Sequence, residues 1–157
     1  MAGNLIIRNA SELVTSKGAT LRRGRAMQEL QVIADGAVVV QEGVISAVGR
    51  TAEVLAGIDS GAYTVIDAAD RTVLPGFVDS HTHFVFGGYR AEEFAGRLRG
   101  DSYMEIMQRG GGIVNTVAAT RAASREELVG LGRKRLDSML SFGVTTVEGK
   151  SGYGLDL

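Results

Sequence analysis

The sequence contains no cysteine and no tryptophan, one proline and two histidines among its 157 residues. The absence of cysteine excludes disulfide bonds and thiolate metal ligands, and it is compatible with the cytoplasm, where we expect the protein. No apolar run approaches the roughly 20 residues of a membrane span. Because 17 Lys and Arg balance 18 Asp and Glu, the net charge of −1 would not hold a polyanion. We therefore expect neither a nucleic-acid partner nor a membrane partner, and we interpret the one basic stretch, Arg22-Arg23-Gly24-Arg25, as a solvated loop.

The first 70 residues carry the pattern of short β-strands separated by turns. Asp35-Gly36 and Glu42-Gly43 lie between β-branched runs, where glycine tolerates the positive φ of a tight hairpin turn. Strands are predicted over 5–7, 12–15, 31–34, 37–41 and 44–48. Turns about every eight residues are typical of a small β-sandwich, which we place at residues 1–70.

From residue 71 onward the pattern changes to strand, helices and strand. Residues 72–78 are nearly all apolar, which is typical of a strand buried on both faces of a parallel sheet. Because proline cannot donate to a β-ladder, this strand is predicted mainly over 76–80, with Pro75 at its entry. Ser124-Arg125-Glu126-Glu127 has the form of a capping box at the start of a long helix, which ends at Gly143. Shorter helices are predicted over 92–97, 103–108 and 113–121, and a second buried strand over 144–147.

The two histidines, His81 and His83, are separated by one residue at the end of the predicted strand. Residues i and i+2 of a strand project to the same side, so the two imidazoles can converge on one divalent metal ion. The alternative is a pair of satisfied histidines in a buried loop. Asp79 lies on the same face of the strand. It could act as a third ligand, as an acceptor that orients a histidine, or as a cap of the strand end. We favour a supporting role for Asp79 over direct ligation.

The run Leu74-Pro75-Gly76-Phe77-Val78-Asp79-Ser80-His81-Thr82-His83 resembles the first barrel strand of the amidohydrolase superfamily. Three further segments are similar to the imidazolonepropionase family within it: Phe86-Gly87-Gly88-Tyr89-Arg90-Ala91-Glu92-Glu93-Phe94, Gly110-Gly111-Gly112-Ile113 and Lys150-Ser151-Gly152-Tyr153-Gly154-Leu155. The resemblance implies an α/β fold. Residues 1–70 would form the N-terminal part of a small β-sandwich, and residues 71–157 the first two βα units of an incomplete (β/α)8 barrel.

The resemblance also implies a reaction, the metal-dependent hydrolysis of the ring C–N bond of 4-imidazolone-5-propanoate to N-formimidoyl-L-glutamate in histidine degradation. It makes His81 and His83 ligands of zinc or iron, and Arg90 and Tyr153 substrate-binding residues. The chemistry of these side chains agrees, because a guanidinium pairs bidentately with a carboxylate such as the propanoate. A phenol between Gly152 and Gly154 can both donate and accept a hydrogen bond.

Several of these residues also have simpler interpretations. Arg90 could pair with Glu93 at i+3 on a helix surface. Gly110-Gly111-Gly112 is interpreted as a helix break or a mobile loop, since it lacks the preceding strand and the following Gly-Lys-Ser/Thr of a phosphate cradle. Because the resemblance implies a mononuclear site, Lys150 is interpreted as a structural lysine or one that supports a ligand, and not as a carbamylated bridge between two metals.

Two features depart from the family pattern. The length is well below the roughly 250 residues of a complete (β/α)8 barrel, and a catalytic zinc usually has three protein ligands, of which the sequence offers two clear candidates. We therefore expect a fragment, with the general base and the remaining ligands beyond Leu157 and negligible activity of its own. The alternatives are another amidohydrolase, such as a nucleobase deaminase or a cyclic ureide hydrolase, or a chain without activity. A homodimer of the complete protein is left open.

Overall fold

The structure, a computed structural model, describes residues 3–16 and 20–155. The chain divides into two units, Met1–Pro75 and Gly76–Leu157. Of the loop predicted over 18–29, Gly18 and Ala19 lie outside the described residues, and Gly24–Gln28 forms a short 3-10 helix. The three arginines of the basic stretch are exposed, as predicted. Among the described residues, no helix combines the length and the apolar character needed to cross a membrane.

The elements of the first unit are β1 (Leu5–Thr15), β2 (Gln31–Gln41), β3 (Val44–Arg50), α1 (Thr51–Val54), a 3-10 helix (Ser60–Ala62), β4 (Thr64–Asp67) and β5 (Thr72–Val73). The strands form one five-stranded sheet with the order β3-β2-β1-β4, in which β5 also pairs with β1. The two long strands β1 and β2 are antiparallel, and β4 and β5 run parallel to successive halves of β1. Ile6, Ala10, Leu13 and Val39 are buried in the core of this unit. The sandwich stays a prediction, because the described strands of this unit form a single sheet.

The hairpin turn predicted at Asp35-Gly36 is wrong. β1 and β2 are each continuous over 11 residues, so the predicted breaks at 8–11 and 35–36 do not separate strands. The backbone irregularity is a β-bulge, since the register shifts between Ile7 and Ala10, and Asn9 has φ 58°. Gly36 is required for a different reason: a Cβ there would lie 2.3 Å from the Cβ of Leu13 on the paired strand.

The turn predicted at Glu42-Gly43 is confirmed. Gln41 pairs with Val44, which leaves a two-residue hairpin loop. Glu42 has φ 53° and Gly43 has φ 83°. Positive φ at both central positions is the type I′ geometry that matches the twist of antiparallel strands.

The second unit has four helices between two parallel strands, as the sequence predicts. Its elements are β6 (Phe77–Thr82), α2 (Ala91–Arg99), α3 (Tyr103–Gln108), α4 (Ile113–Ala122), α5 (Arg125–Ser141) and β7 (Val144–Gly149). β6 and β7 form a two-stranded parallel sheet. The four predicted helices correspond to α2, α3, α4 and α5. At most helix ends, the predicted boundary lies within two residues of the observed one. The strand predicted over 76–80 extends further, so that His81 lies within it.

The burial predicted for residues 72–78 is wrong. Thr72 and Val73 pair with β1 in the first sheet, and only the residues from Phe77 onward belong to β6. Phe77 and Val78 are 53% and 68% exposed. An apolar strand is buried on both faces only when further strands and helices cover it, and the described part of this sheet has two strands.

The capping box at Ser124 is confirmed, and α3 begins with a second one that the sequence analysis missed, at Ser102 and Glu105. The carboxylate of Glu127 accepts hydrogen bonds from Ser124, and these lower its pKa; the bond from the backbone N–H has the larger effect and the bond from the side chain the smaller. Ser102 lowers the pKa of Glu105 in the same way. Because the folded pKa lies below the unfolded one, this stabilisation is present above the unfolded pKa and is lost as the pH falls through the folded pKa.

We expect Ser124→Ala to lower the free energy of unfolding by about 1 kcal/mol at neutral pH, through the loss of an N-cap. The difference in the free energy of unfolding between Ser124→Ala and the unsubstituted parent chain should shrink in acid. Protonation of Glu127 then removes the contribution of its carboxylate to the capping box. Urea unfolding followed by circular dichroism at pH 7 and at acidic pH measures both effects. Ser138→Ala, at an exposed position of the same helix, should be neutral or slightly stabilising. Equal stability of Ser124→Ala and the parent at pH 7 would contradict the prediction.

Candidate functional site

Both histidines lie at the carboxyl end of β6. His81 is the fifth residue of the strand and is exposed, and His83 follows the strand and is partly buried. Their ring centroids are 5.7 Å apart, with the ring planes at 70°. Two imidazoles bound to one tetrahedral zinc ion have ring centres about 5 Å apart. The two rings are therefore neighbours at a spacing close to that of a shared metal ion.

Asp79 supports this strand end through the backbone. Its Oδ1 accepts a hydrogen bond from the backbone N–H of His81 at 3.0 Å. Of the three roles considered for Asp79, this contact corresponds to the cap of the strand end. It fixes the main chain at the first of the two histidines.

The ring of His83 packs against the glycine-rich segment that follows β7. The ring centroid of Tyr153 is 5.1 Å from that of His83, and a Cβ on Gly152 would lie 3.0 Å from Cε1 and Nδ1 of the same ring. Nδ1 of His83 is buried and has no hydrogen-bond partner among the described residues. A buried polar atom without a hydrogen-bond partner is energetically costly. An imidazole with such an atom has the chemistry to coordinate a cation.

The segment that carries Tyr153 is tied to α4. Arg121 donates from Nε to the carbonyl oxygen of Gly154 at 2.6 Å and from Nη2 to that of Leu155 at 2.5 Å. Tyr153 itself has φ 63°, a left-handed conformation that is rare for residues other than glycine. A constrained backbone of this kind fixes the direction of the phenol, which lies beside His83.

Arg90 is the N-cap residue of α2, at the end of the segment that connects β6 to that helix. Its Nη1 lies 3.7 Å from Oε2 of Glu93, and the Arg90 side chain is 44% exposed. The other carboxylate oxygen of Glu93 accepts a hydrogen bond from the backbone N–H of Gly112 at 2.9 Å. The structure thus shows the i, i+3 ion pair of the simpler interpretation, and the substrate role of Arg90 stays a prediction.

Two aromatic residues that the sequence analysis left without a role connect these parts. The ring centroid of Phe86 is 5.6 Å from that of Tyr153 and 6.3 Å from that of Tyr89. Tyr89 precedes Arg90. The contacts therefore run from His83 through Tyr153 and Phe86 to Tyr89, and the only signal for them in the sequence was their presence in a family-like motif.

The remaining predicted residues have structural contacts. The helix break at Gly110-Gly111-Gly112 is confirmed: it separates α3 from α4, and Gly110 and Gly112 have φ 79° and 74°. The Lys150 ammonium pairs with the carboxylate of Glu148, and its backbone N–H donates to the carbonyl oxygen of Thr82 at 2.8 Å.

The part of the chain that the structure describes contains no complete three-ligand metal site. Within 3–16 and 20–155, no group of three or more His, Asp or Glu side chains is arranged to hold a metal ion. A catalytic zinc site usually has three protein ligands and one open position. Such a site would therefore need a further ligand in addition to His81 and His83.

Sequence comparison shows what this chain is similar to. Residues 64–116 match the amidohydrolase family. The chain is 61% identical to the imidazolonepropionase of Parabacteroides distasonis over 98% of its own length and 37% of that protein. It is 54% identical to the imidazolonepropionase of Clostridium tetani, again over 98% of this chain and 37% of the relative. It spans little more than a third of these curated relatives.

Solved structures agree on the fold. A prolidase complexed with N-methylphosphonate-L-proline has a TM-score of 0.57 at 16% identity, over 92% of this chain and 25% of its own. An adenosine deaminase from Xanthomonas campestris with bound zinc has a TM-score of 0.54 at 24% identity, over 95% of this chain and 29% of its own. At these identities the likeness concerns the fold alone. The sequence relatives, together with the matching family, confirm the resemblance of this chain to the imidazolonepropionases of the amidohydrolase superfamily over nearly its whole length.

Proposed function

We propose that the protein to which these residues belong is an imidazolonepropionase, which hydrolyses the ring C–N bond of 4-imidazolone-5-propanoate to give N-formimidoyl-L-glutamate. The observation that carries the proposal is the pair of imidazoles 5.7 Å apart at the carboxyl end of a parallel strand. Ligands of α/β folds bind at this end of the strands. The identity of 61% to an imidazolonepropionase across this segment supports the choice of reaction.

His81 and His83 would hold the metal ion, for which we propose zinc or iron. Their spacing and the unpartnered Nδ1 of His83 fit a cation bound between the rings. When bound, the ion supplies Lewis acidity, which lowers the pKa of a water molecule and polarises the ring carbonyl. Asp79 contributes by holding the backbone of His81, and Tyr153 by packing on the ring of His83.

Arg90 and Tyr153 would bind the substrate. The propanoate carboxylate matches the guanidinium fork of Arg90, which is 44% exposed and therefore accessible. Glu93 already lies 3.7 Å from this guanidinium and restrains it before a ligand arrives. The Tyr153 phenol, beside His83, can donate to or accept from a polar atom of the substrate ring.

The reaction needs one water molecule. Its oxygen bonds to the ring carbonyl carbon, the C–N bond breaks, and a proton passes to the leaving nitrogen. The sequence has only the two histidines already assigned as ligands. The proton acceptor is therefore proposed to come from residues other than those described above. This chain would hold the metal ion and bind and orient the substrate.

Another amidohydrolase activity, such as nucleobase deamination or hydrolysis of a cyclic ureide, is not favoured. The relatives at 54% and 61% identity are imidazolonepropionases, whereas the deaminase and the prolidase share 24% identity or less. We further propose a cytoplasmic enzyme with a small-molecule substrate and no nucleic-acid or membrane partner.

A chimera tests this function. In the chimera, these 157 residues replace the matching segment of the Parabacteroides distasonis enzyme. With zinc or iron present it should hydrolyse 4-imidazolone-5-propanoate, with the loss of the substrate followed by absorbance. A folded, metal-loaded chimera that does not hydrolyse this substrate would contradict the proposal. Turnover of a nucleobase or a ureide instead would favour the alternative activity.

A glycine pair beside His83 gives a matched test of the metal site. Gly152→Ala would bring a Cβ to 3.0 Å from the His83 ring, whereas a Cβ on Gly154 would have no atom within 4 Å. We expect Gly152→Ala in the chimera to weaken zinc binding about tenfold by displacing the ring, an effect of the size seen when the supports of a ligand are changed. Gly154→Ala should bind zinc as the parent does. Competition with a chromophoric chelator measures both affinities, and equal affinities would contradict the placement of the ring.

A further inference from the structure

Arg135 of α5 holds the segment that follows the second histidine. Its Nη1 donates hydrogen bonds to the carbonyl oxygens of Phe84 and Phe86, at 2.9 and 2.8 Å. The guanidinium carbon lies 3.5 Å from the ring centroid of Phe86 and 5.1 Å from that of Tyr89. One side chain thus binds two backbone carbonyls and lies against two of the three aromatic rings between His83 and Arg90.

α4 holds the same segment from a neighbouring position. The Thr120 hydroxyl accepts a hydrogen bond from the backbone N–H of Gly87 at 3.1 Å and donates to the carbonyl oxygen of Thr116 at 2.7 Å. Thr120 is 9% exposed. A Cβ on Gly87 would lie 2.5 Å from the carbonyl oxygen of Ala119, so the backbone packs directly on the helix. Hydrogen bonds to the backbone of Phe84, Phe86 and Gly87 therefore fix residues 84–87.

These anchors reach the metal site through ring contacts. Phe86, beneath the Arg135 guanidinium, lies 5.6 Å from Tyr153, and Tyr153 lies 5.1 Å from His83. A shift of Phe86 would leave Tyr153 without one of its two neighbouring rings. The orientation of His83 then depends on a residue that touches neither the metal ion nor the substrate.

The chemistry of Arg135 also argues against a purely structural role. Its Nε and Nη2 are buried and have no hydrogen-bond partner among the residues that the structure describes. Leaving a buried cation incompletely paired is unfavourable, and an apolar side chain of similar volume often stabilises such a position. A planar guanidinium can bond to two carbonyls and stack on a ring at the same time, which an apolar side chain cannot do.

We infer that Arg135 is a positioning residue, which fixes residues 84–89 and, through Phe86 and Tyr153, the ring of His83. The effect on metal affinity follows from the contacts described above. The effect on turnover rests on the proposed hydrolase function. Neither Arg135 nor Thr120 is among the residues assigned to the metal or to the substrate.

The test compares Arg135→Met and Arg135→Lys in the chimera, with Lys134→Met at an exposed neighbouring position as the control. Four quantities are measured: amide hydrogen exchange of residues 84–89 without metal, the zinc dissociation constant, kcat and KM. For Arg135→Met we expect about tenfold faster exchange and zinc binding weaker by about tenfold. We also expect kcat to fall about 10- to 100-fold, with KM within about threefold of the parent. Arg135→Lys should be intermediate and Lys134→Met unchanged.

A lower melting temperature of Arg135→Met, with exchange and zinc affinity as in the parent, would overturn the inference, because a merely structural residue behaves in this way. If Arg135→Met does not fold, Thr120→Val provides the test in its place, because it removes the hydrogen bond to Gly87. It should accelerate exchange of the same segment and weaken zinc binding, and parent-like values would overturn the inference. A parent chimera that binds zinc but has no turnover would contradict the proposed function, while the exchange and affinity data would still decide the role of Arg135.

Discussion

His83→Ala in the chimera is expected to reduce kcat/KM by about 1,000-fold or more and to weaken zinc binding by a similar factor. Changes to residues that only support a metal ligand cost about 10- to 100-fold, so removal of a direct ligand should exceed that range. The reason lies in the site itself, where the described residues bring two imidazoles together but form no group of three or more metal-binding side chains. Loss of one ring leaves a single ligand on this strand.

His81→Ala should have an effect of the same size, since the two rings play equivalent parts. Metal content after dialysis, the zinc dissociation constant and steady-state kinetics measure the loss. Lys134→Met serves as the control for substitution in the same unit, and circular dichroism checks that the variants fold. If either histidine variant keeps zinc with the affinity of the parent, that histidine is not a ligand.

Arg90→Met is expected to raise KM by about 10- to 150-fold, with kcat changed much less. Hydrogen bonds to a charged group contribute about 1.5–3 kcal/mol, and each 1.4 kcal/mol is about tenfold in affinity. The propanoate is distant from the C–N bond that breaks, so its binding should act on substrate affinity more than on the chemical step. Arg90→Lys keeps the charge without the fork and should lie between the two.

Arg97→Met is the matched control for Arg90, because Arg97 is an exposed arginine of the same helix. It should leave KM unchanged. A substrate analogue without the carboxylate gives a second check, since Arg90→Met and the parent should then bind it equally. If KM for 4-imidazolone-5-propanoate is the same in Arg90→Met and the parent, Arg90 only forms the ion pair with Glu93 seen in the structure.

The local parts of the fold could be predicted from the sequence. The capping box at Ser124, the glycine break before α4 and the two-residue turn at Glu42-Gly43 all act over a few residues. Their signals are therefore contained in short stretches of sequence. The His-x-His pair is of the same kind, because two residues of one strand end need no other element to become neighbours.

Apart from the capping box at Ser102, which is local and was missed, the features that were predicted wrongly or missed depend on residues distant in the sequence. Gly36 resembles a turn glycine, but its place is set by Leu13 on the paired strand. The apolar run before His81 resembles a buried strand, yet burial depends on covering elements that are not its neighbours in sequence. Arg135 shows no motif, and its role became visible only when α5 was placed beside the carbonyls of Phe84 and Phe86.

The proposed function depends on His81 and His83 binding one metal ion together. X-ray absorption at the zinc edge, combined with anomalous diffraction from the zinc-loaded chimera, identifies the ligands of that ion. We expect a single zinc ion with one nitrogen of each imidazole at about 2.0–2.1 Å. An ion bound to neither ring or to only one of them, or the two rings turned away from each other, would contradict joint binding by the two histidines.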